Sequence, residues 1–320
     1  MSITSIKPLV TCVISSYNHD KYIFKCIKSI INQDYYNIEL IIIDDGSKDK
    51  STIEINKLLQ ECKKRFVRFE YISQSNKGLT YNLNFALNWS QGEYFCSIGS
   101  DDYMLTNKTS ILVEEMLKAK NIGGVFGGCE VISENDNLIK KVSPKNTKYD
   151  FYKIISRNYI IINPSQLLKT SILKKIKGYP KNLYIDDWYM WLLITNAGYE
   201  LKVISDILVK YRQHNKNMSK NAYKMYESRK EILNLYKDHF YYSKALSDNE
   251  LYASIDFSTH SKMIAFNHLI KSLKLRSTAI FTLKFYIALI RVLLPNFIIK
   301  ILSSLKFIIS NNLLNNQNRW

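Results

Sequence analysis

The chain has 320 residues, of which 46% are hydrophobic and 13% aromatic, so it can bury a sizeable core and is too long for one minimal domain. Its formal net charge is +17, but this charge is unevenly spread. Acidic residues stop at Asp256, and nine Lys or Arg residues follow it. These features predict one larger domain with a basic appendage.

The cysteines and the N-terminus bear on the cellular compartment. No two cysteines form a CxxC pair, and several lie in apolar runs, which is typical of reduced core residues in a cytosolic protein. The five are Cys12, Cys26, Cys62, Cys96 and Cys129. The opening stretch MSITSIKPLVTCVISS lacks a basic segment followed by a long apolar run and a cleavage site, so we expect no secretory signal.

Short β-branched runs alternate with helix-period runs through the first 98 residues. Strands are predicted at 9–15, 39–44, 66–73 and 94–98, and helices at 20–33, 49–64 and 79–90. Asp20 is the predicted N-cap of the first helix. This order predicts a parallel sheet with right-handed crossovers.

After residue 105 the predicted order becomes mixed. The pattern indicates helices at 111–120, 163–176 (with a strand edge) and 186–198, and strands at 123–133, 201–204 and 207–212. From about residue 221 the pattern is helical to the end. The sequence shows no internal repeat and no low-complexity linker.

Polar residues follow each of the first four predicted strands. The clusters are Ser15-Ser16-Tyr17-Asn18, Asp44-Asp45-Gly46-Ser47, Ser73-Gln74-Ser75-Asn76-Lys77-Gly78 and Gly99-Ser100-Asp101-Asp102. One such cluster is typical of an ordinary turn. Four of them on one predicted edge favour a ligand site, because open parallel sheets bind ligands outside the carboxyl ends of their strands.

The chemistry of this edge is acidic rather than glycine-rich. The segment SSYNHDKY after the first strand contains no glycine, so it lacks the GxGxxG dinucleotide motif, and a Walker A loop is also absent. An acid-rich edge suits a ligand whose phosphates are neutralised by a divalent cation rather than by backbone amides.

Five blocks at matching order and spacing resemble the signatures of family 2 glycosyltransferases, which are inverting enzymes of the GT-A fold. The blocks are VTCVISSYNHDKYIFKCIKSIINQDYYNIELIIIDDGSKDKS, NKGLTYNLNFALNWSQGEYF, SDD, IDDWYMWLLITNAGYE and YRQHNKNMS. The resemblance covers residues 8–219. It implies an α/β fold with a Rossmann-like mixed sheet and a GT-A catalytic domain over 1–220. The helical pattern and the charge predict a helical, basic C-terminal region over 221–320.

The resemblance implies roles for the nucleotide-binding residues. Ser15 and Tyr17 would line the base, with Tyr17 offering its ring face. Asp44 would accept the imide N–H of a uracil or thymine, or alternatively cap the following helix. Asp45 would hold the turn or reach the ribose. The family often carries an arginine that contacts the diphosphate in the helix after NKG, where this chain has Leu83-Asn84, and Lys77 or Arg212 would substitute for it.

The resemblance also implies a metal site. Asp101 matches the last acid of the DxD motif, the usual ligand of Mn²⁺ or Mg²⁺ on the donor diphosphate, whereas Gly99 stands in place of its first acid. Asp102 would ligate, orient a metal-bound water, or only cap the turn. His214 matches a position that in many GT-A enzymes reaches back to the metal or the diphosphate, or it is only a solvated loop histidine. Arg212 would neutralise a phosphate, or merely end its strand.

Asp187 matches the family's general base, the second acid of a pair at the start of a helix. Displacement at an anomeric carbon needs a carboxylate that takes a proton from the acceptor hydroxyl. The alternative is that Asp186 and Asp187 are first-turn acids favoured by the helix dipole.

The C-terminal stretch 278–309 is apolar but interrupted by Lys284, Arg291, Lys300 and Lys306. No uninterrupted run reaches the roughly 20 apolar residues of a spanning helix. The pattern favours helices lying in the membrane interface, with cations toward anionic headgroups. Packing on the catalytic domain and a homodimer interface remain alternatives. Nucleic-acid binding is disfavoured because no recognised motif accompanies the basic residues.

Together these features predict a metal-dependent inverting glycosyltransferase. It would transfer a sugar from a UDP-hexose or UDP-N-acetylhexosamine to a lipid-linked glycan at the cytoplasmic face of the membrane, in capsule or O-antigen assembly. A non-catalytic nucleotide-sugar-binding or scaffold subunit is the alternative, since a fold does not guarantee chemistry. A nucleotidyltransferase is disfavoured because no glycine-rich, lysine-bearing loop follows the first strand.

Overall fold

The computed structural model describes residues 7–180, 183–214 and 221–299. The chain divides into two compact units, one of Met1–Ile154 with Tyr159–Asn215 and the other of Ile155–Asn158 with Lys216–Trp320. The predicted helices beyond residue 299 lie outside the described residues.

A mixed sheet forms the centre of the first unit. Its strands, within the described ranges, are β1 Val10–Ser16, β2 Ile38–Asp44, β3 Arg68–Ser73, β4 Tyr94–Gly99, β5 Tyr103–Met104, β6 Ile122–Ile132, β7 Leu138–Val142, β8 Thr147–Tyr149, β9 Leu167–Lys169 and β10 Glu200–Arg212. The main order is β3-β2-β1-β4-β9-β6-β10-β5, with β7 paired to β6 and β8 to β10.

The parallel half of the sheet is as predicted. Strand β1 pairs in parallel with β2 and β4, and β2 pairs in parallel with β3. Every residue of β2 is buried, which is the pattern of a strand covered on both faces. This half confirms the predicted βαβαβαβ order.

The other half of the sheet differs from the prediction, which does not include β5, β7 or β8 and divides β10 in two. The two short strands predicted at 201–204 and 207–212 are one continuous strand, β10. Ser205 and Asp206 are exposed and look like a break in the sequence. In the structure they lie at a register shift against β6 between Val203 and Ile207, so the strand bulges and continues.

Helices flank the sheet and build the second unit. They are α1 Ile23–Ile31, α2 Ser51–Asn56, α3 Leu59–Arg65, α4 Leu79–Trp89, α5 Lys108–Leu117, α6 Phe151–Ile155, α7 Thr170–Lys175, α8 Asp186–Asn196, α9 Ala222–Asn234, α10 Tyr242–Phe257, α11 Lys262–Leu275 and α12 Leu283–Leu293. The single helix predicted at 49–64 is thus divided into α2 and α3.

The predicted N-cap of the first helix is wrong. Tyr22 occupies the cap position of α1, and no side chain caps it. Instead, the carbonyl of His19 accepts from the amides of Tyr22 and Ile23, both at 2.9 Å. Asp20 is held elsewhere, since its amide donates to the Asp49 carboxylate.

The hydrophobic core of the first unit lies between the sheet and its helices. Helix α1 buries one face on it, through Ile23, Cys26, Ile27 and Ile30. All five cysteines are buried and free.

The second unit has its own small core. Leu251 of α10, Leu269 of α11, and Phe285 and Ala288 of α12 pack together. No helix within the described ranges is both long enough and apolar enough to cross a bilayer.

The cations of α12 do not point as predicted. The Lys284 ammonium donates to the Ser156 carbonyl and lies 3.4 Å from the Asp248 carboxylate, and Arg291 Nε donates to the Ser258 hydroxyl. Both charged groups therefore make polar contacts within the second unit, because they lie on the packed side of α12. The residues that α12 leaves exposed are apolar: Leu283, Tyr286, Ile287, Ile290 and Leu293.

Candidate active site

The carboxyl ends of three parallel strands meet at one edge of the sheet. Ser16 at the end of β1 is in register with Asp44 at the end of β2, and Ser15 is in register with Gly99 at the end of β4. The Asp45 amide donates to the Ser16 carbonyl at 2.8 Å, which ties the first two loops together. The structure therefore brings the predicted base-binding and metal-binding segments side by side.

Asp44 combines deep burial with an unused acceptor. Its side chain is 1% exposed, and Oδ2 accepts from the Ser47 amide at 3.2 Å. Its Oδ1 is buried and accepts no hydrogen bond within the described part of the chain. A buried carboxylate oxygen left without a donor is costly, so this atom is suited to accept a hydrogen bond from a ligand.

Asp45 holds the loop that leads into α4. Its Oδ1 accepts from the Lys77 amide at 2.8 Å and its Oδ2 from the Gly78 amide at 2.9 Å. Gln74 Nε2 adds a third hydrogen bond to the same carboxylate. Of the two roles considered for Asp45, these contacts favour holding the turn.

The other predicted base-binding residues lie around the same edge. The Ser15 hydroxyl accepts from Asn82 Nδ2 of α4 at 2.9 Å. Tyr17 is 46% exposed, so its ring is accessible to a ligand. The Lys77 side chain is also exposed, and its ammonium lies 4.7 Å from the ring centroid of Tyr81.

The GSDD turn has no room for a side chain at its glycine. A Cβ on Gly99 would lie 2.7 Å from Asp101 Oδ1 and 3.3 Å from Asp102 Oδ2. An acid at this position would therefore displace Asp101. The Asp102 amide closes the turn by donating to the Gly99 carbonyl at 3.0 Å.

Asp102 faces the end of β10. Its side chain is buried, and Oδ1 accepts from the Arg212 amide at 2.7 Å. Burial, reinforced by the neighbouring Asp101 charge, raises the pKa of Asp102 well above its ordinary value. Of the three roles considered for this residue, the contact with Arg212 favours stabilising the turn.

Arg212 is almost completely buried and holds several chain segments together. Its guanidinium donates to the carbonyls of Asp101, Ser133 and Glu134 and to the carboxylate of Asp136. Such a guanidinium orders the backbone beside the acid pair. These contacts favour a positioning role over direct neutralisation of a phosphate.

Three potential metal ligands converge beside this turn. The side chains of His19, Asp101 and His214 each offer one ligand atom, and these atoms all lie within 4.8 Å of one another. His214 Nε2 lies 2.9 Å from Asp101 Oδ2. Imidazole and carboxylate are ligands that Mn²⁺ accepts, so the donor set fits a divalent cation.

Asp186 and Asp187 form the first turn of α8. Burial raises the pKa of Asp186. Asp187 Oδ1 accepts from the Trp188 amide at 2.6 Å. Burial also raises the pKa of Tyr179, with further contributions from the negative charges of Asp186 and Asp187, so the pair lies near this buried tyrosine.

Leu83 and Asn84, at the family's Arg-Asn position, pack and hydrogen-bond within the protein. Leu83 is buried, so it offers no charge to a diphosphate. Asn84 binds the backbone of Tyr179 twice, since its Oδ1 accepts from the Tyr179 amide and its Nδ2 donates to the Tyr179 carbonyl. Asn84 thereby fixes the segment that precedes α8.

Sequence reasoning missed His19. The residue lies in the loop after β1, and its Nδ1 is 2.7 Å from the Ser100 hydroxyl. The available signal is its position at the carboxyl edge, where the sequence predicts the metal site.

A mixed sheet with helices on its faces and an acidic carboxyl edge is the architecture of the GT-A fold. The family model "Glycosyl transferase family 2" matches residues 11–177, which is more than half of the chain. The chain belongs to glycosyltransferase family 2 and is a glycosyltransferase.

Similar proteins agree with this assignment. A GalNAc(5)-diNAcBac-PP-undecaprenol beta-1,3-glucosyltransferase of Campylobacter jejuni is 26% identical over 95% of this chain and 100% of its own. The Escherichia coli UDP-Glc:alpha-D-GlcNAc-diphosphoundecaprenol beta-1,3-glucosyltransferase WfgD is 28% identical over 70% of this chain and 85% of its own.

A solved structure shows the same fold. The mannosyltransferase PcManGT of Pyrobaculum calidifontis, in complex with GDP-Man and Mn²⁺, is 16% identical. It has a TM-score of 0.55 and covers 92% of this chain and 88% of its own.

Proposed function

We propose that this chain is a metal-dependent, inverting glycosyltransferase that transfers a hexose or N-acetylhexosamine from a UDP donor to a lipid-linked glycan. The setting would be the assembly of a bacterial surface polysaccharide, capsule or O-antigen, at the cytoplasmic face of the membrane. The observation that carries the proposal is one sheet edge that holds both a buried Asp44 oxygen, which no described residue hydrogen-bonds, and a His/Asp/His group. The two relatives described above, both named as acting on undecaprenol-linked glycans, support the acceptor class.

The proposed roles follow from chemistry. Asp44 accepts the imide N–H of uracil, and Ser15 and Tyr17 border the base. Asp187 takes the proton of the acceptor hydroxyl as that oxygen attacks the anomeric carbon, and the bond to the UDP oxygen breaks on the opposite face. A divalent cation, Mn²⁺ or Mg²⁺, held by Asp101 and His214, would neutralise the charge of the departing diphosphate. Asp102 and Arg212 keep Asp101 in place.

Release of UDP tests the reaction. The full-length protein, incubated with a panel of UDP-sugars and Mn²⁺, should release UDP faster when an undecaprenol-linked or short-chain lipid-linked acceptor is added. Nucleotide-sugar binding without any acceptor-stimulated release would instead favour the alternative, a non-catalytic nucleotide-sugar-binding or scaffold subunit. Two departures from the family motifs support that alternative: Gly99 in place of an acid and Leu83 in place of an arginine.

The uracil contact yields a first prediction. Replacing Asp44 with Ala should weaken UDP binding by about 1.5–3 kcal/mol, because a hydrogen bond to a charged acceptor is lost. CDP provides the control, since the matching ring nitrogen of cytosine carries no hydrogen to donate. Calorimetric titration should show that wild-type protein prefers UDP over CDP and that Asp44→Ala does not. Equal preference in the two proteins would exclude the contact.

Membrane contact through the second unit is a further part of the proposal. The exposed face of α12 is a stripe of large apolar side chains with three- and four-residue spacing, and Phe281 just before it is 83% exposed. Exposed cations in the same unit, Lys271 and Lys274, and the absence of acids after Asp256 complement anionic headgroups. The proposed partner of this face is therefore an anionic bilayer surface.

Substitution tests the membrane contact more cleanly than truncation, because removing α11 and α12 would expose the core of the second unit. Ile287 and Ile290 are 41% and 50% exposed, so Ile287→Glu/Ile290→Glu should fold yet sediment much less with vesicles containing anionic lipid. Leu117→Glu, at an exposed position of the first unit, is the control and should sediment like wild type. Unchanged sedimentation of the double variant would overturn the membrane assignment. Loss of a homodimer, instead of loss of vesicle binding, would also overturn it.

A further inference from the structure

His19 is held rigidly although it lies in a loop. Its amide donates to the Ser51 hydroxyl at 2.9 Å, and its carbonyl accepts the two amides that begin α1. The backbone of His19 is thus fixed between the end of β1 and the first turns of α1 and α2. A side chain on such a support keeps its direction, which a metal ligand requires.

The contact with Ser100 also orients the imidazole. His19 Nδ1 lies 2.7 Å from the Ser100 hydroxyl oxygen, directly beside Asp101 in the chain. When Nδ1–H donates to that oxygen, Nε2 carries the lone pair. Metal-ligating histidines are commonly oriented in this way, by a hydrogen bond from the nitrogen that does not bind the metal.

The spacing of the three side chains suits one ion. The ring centroids of His19 and His214 are 6.0 Å apart, and His214 Nε2 lies 2.9 Å from Asp101 Oδ2. In an octahedral ion with ligand bonds of about 2.1 Å, adjacent ligands are about 3 Å apart. His214 and Asp101 are therefore spaced as neighbours on one ion, and the ligand atom of His19 lies within 4.8 Å of both.

We propose that His19 is a third protein ligand of the cation, so that a His19/Asp101/His214 set binds Mn²⁺ in preference to Mg²⁺ and does so without the nucleotide. Two imidazoles and one carboxylate suit a transition metal, whereas Mg²⁺ favours oxygen ligands and keeps its waters. The inference rests on the metal dependence proposed above, and it makes His19 a determinant of metal preference.

Metal binding can be measured directly on the full-length protein. Calorimetric titration with MnCl₂ or MgCl₂, in the absence of nucleotide, should show tighter binding of Mn²⁺. In His19→Gln the Mn²⁺ affinity should fall by at least about 10-fold, because removing even a residue that only orients a metal ligand typically costs that much. His260→Gln, at an exposed histidine of the second unit, is the control and should bind Mn²⁺ like wild type.

Two further measurements separate ligation from a structural role. Pulsed EPR of the Mn²⁺-loaded wild type should show nitrogen couplings from two histidines, and His19→Gln should retain one. His19→Asp restores an oxygen ligand, so it should bind a cation again but with its preference moved toward Mg²⁺. A single histidine coupling in the wild type, or wild-type Mn²⁺ affinity in His19→Gln, would overturn the proposal.

Failure of His19 as a metal ligand can be distinguished from failure of the proposed sugar transfer. If Mn²⁺ binds as expected but no UDP-sugar supports transfer, His19 is a ligand in a protein with another activity. If acceptor-stimulated UDP release occurs while His19→Gln binds Mn²⁺ like wild type, the reaction stands and the third ligand does not.

Discussion

Asp187→Asn should lower the turnover number of sugar transfer by about 10²–10⁴-fold, the usual contribution of a general base. The amide of asparagine cannot accept the acceptor's proton. Its side-chain oxygen can still accept the hydrogen bond that the Trp188 amide donates to Asp187 Oδ1 at 2.6 Å. The start of α8 should therefore be preserved.

Steady-state rates and donor titrations together measure this effect. Affinity for the UDP-sugar should stay nearly unchanged, because the base acts on the acceptor rather than on the donor. Asp206→Asn, at an exposed carboxylate in β10, is a matched control and should leave both quantities as they are. Wild-type turnover in Asp187→Asn would remove this residue from the role of base.

Asp101→Asn should abolish the metal-supported component of UDP binding. The carboxylate is the anionic member of the His/Asp/His group, and its replacement leaves two imidazoles and no negative charge to hold a divalent cation. Asparagine has nearly the same size as aspartate, so the substitution should not change the packing of the side chain against the tight turn at Gly99.

Calorimetry with UDP in Mn²⁺ and in EDTA checks this prediction. Wild-type protein should bind UDP much more weakly in EDTA, and Asp101→Asn should bind it equally weakly in both solutions. Wild-type binding that is indifferent to EDTA would contradict metal dependence. If Asp101→Asn still binds UDP more tightly in Mn²⁺ than in EDTA, other residues hold the cation.

The parallel half of the sheet could be predicted because each of its strands is a short apolar run bounded by polar turns. The position of Asp44 followed directly, since carboxyl ends of parallel strands share an edge. The interruption at Ser205 and Asp206 hid the continuous strand β10, because a bulge and a loop look alike in sequence.

The details of the site depend on contacts between residues far apart in the chain. The Arg212 amide meets the Asp102 carboxylate across 110 residues, and no local pattern reports such a pair. The direction of Lys284 was also beyond prediction, since it depends on the Ser156 carbonyl and Asp248. His19 could have been proposed from its place on the edge, but its nearness to His214 required the fold.

The buried guanidinium of Arg212 has a consequence for how a ligand is received. It joins the acid turn to residues 133–136 and to the end of β10, so Asp101 is set in place as the chain folds. Conformational freedom that a flexible turn would lose on binding is already lost. The proposed cation and donor would therefore meet a site that is already ordered by folding. Residues 133–136 would contribute to their affinity through the contacts with Arg212.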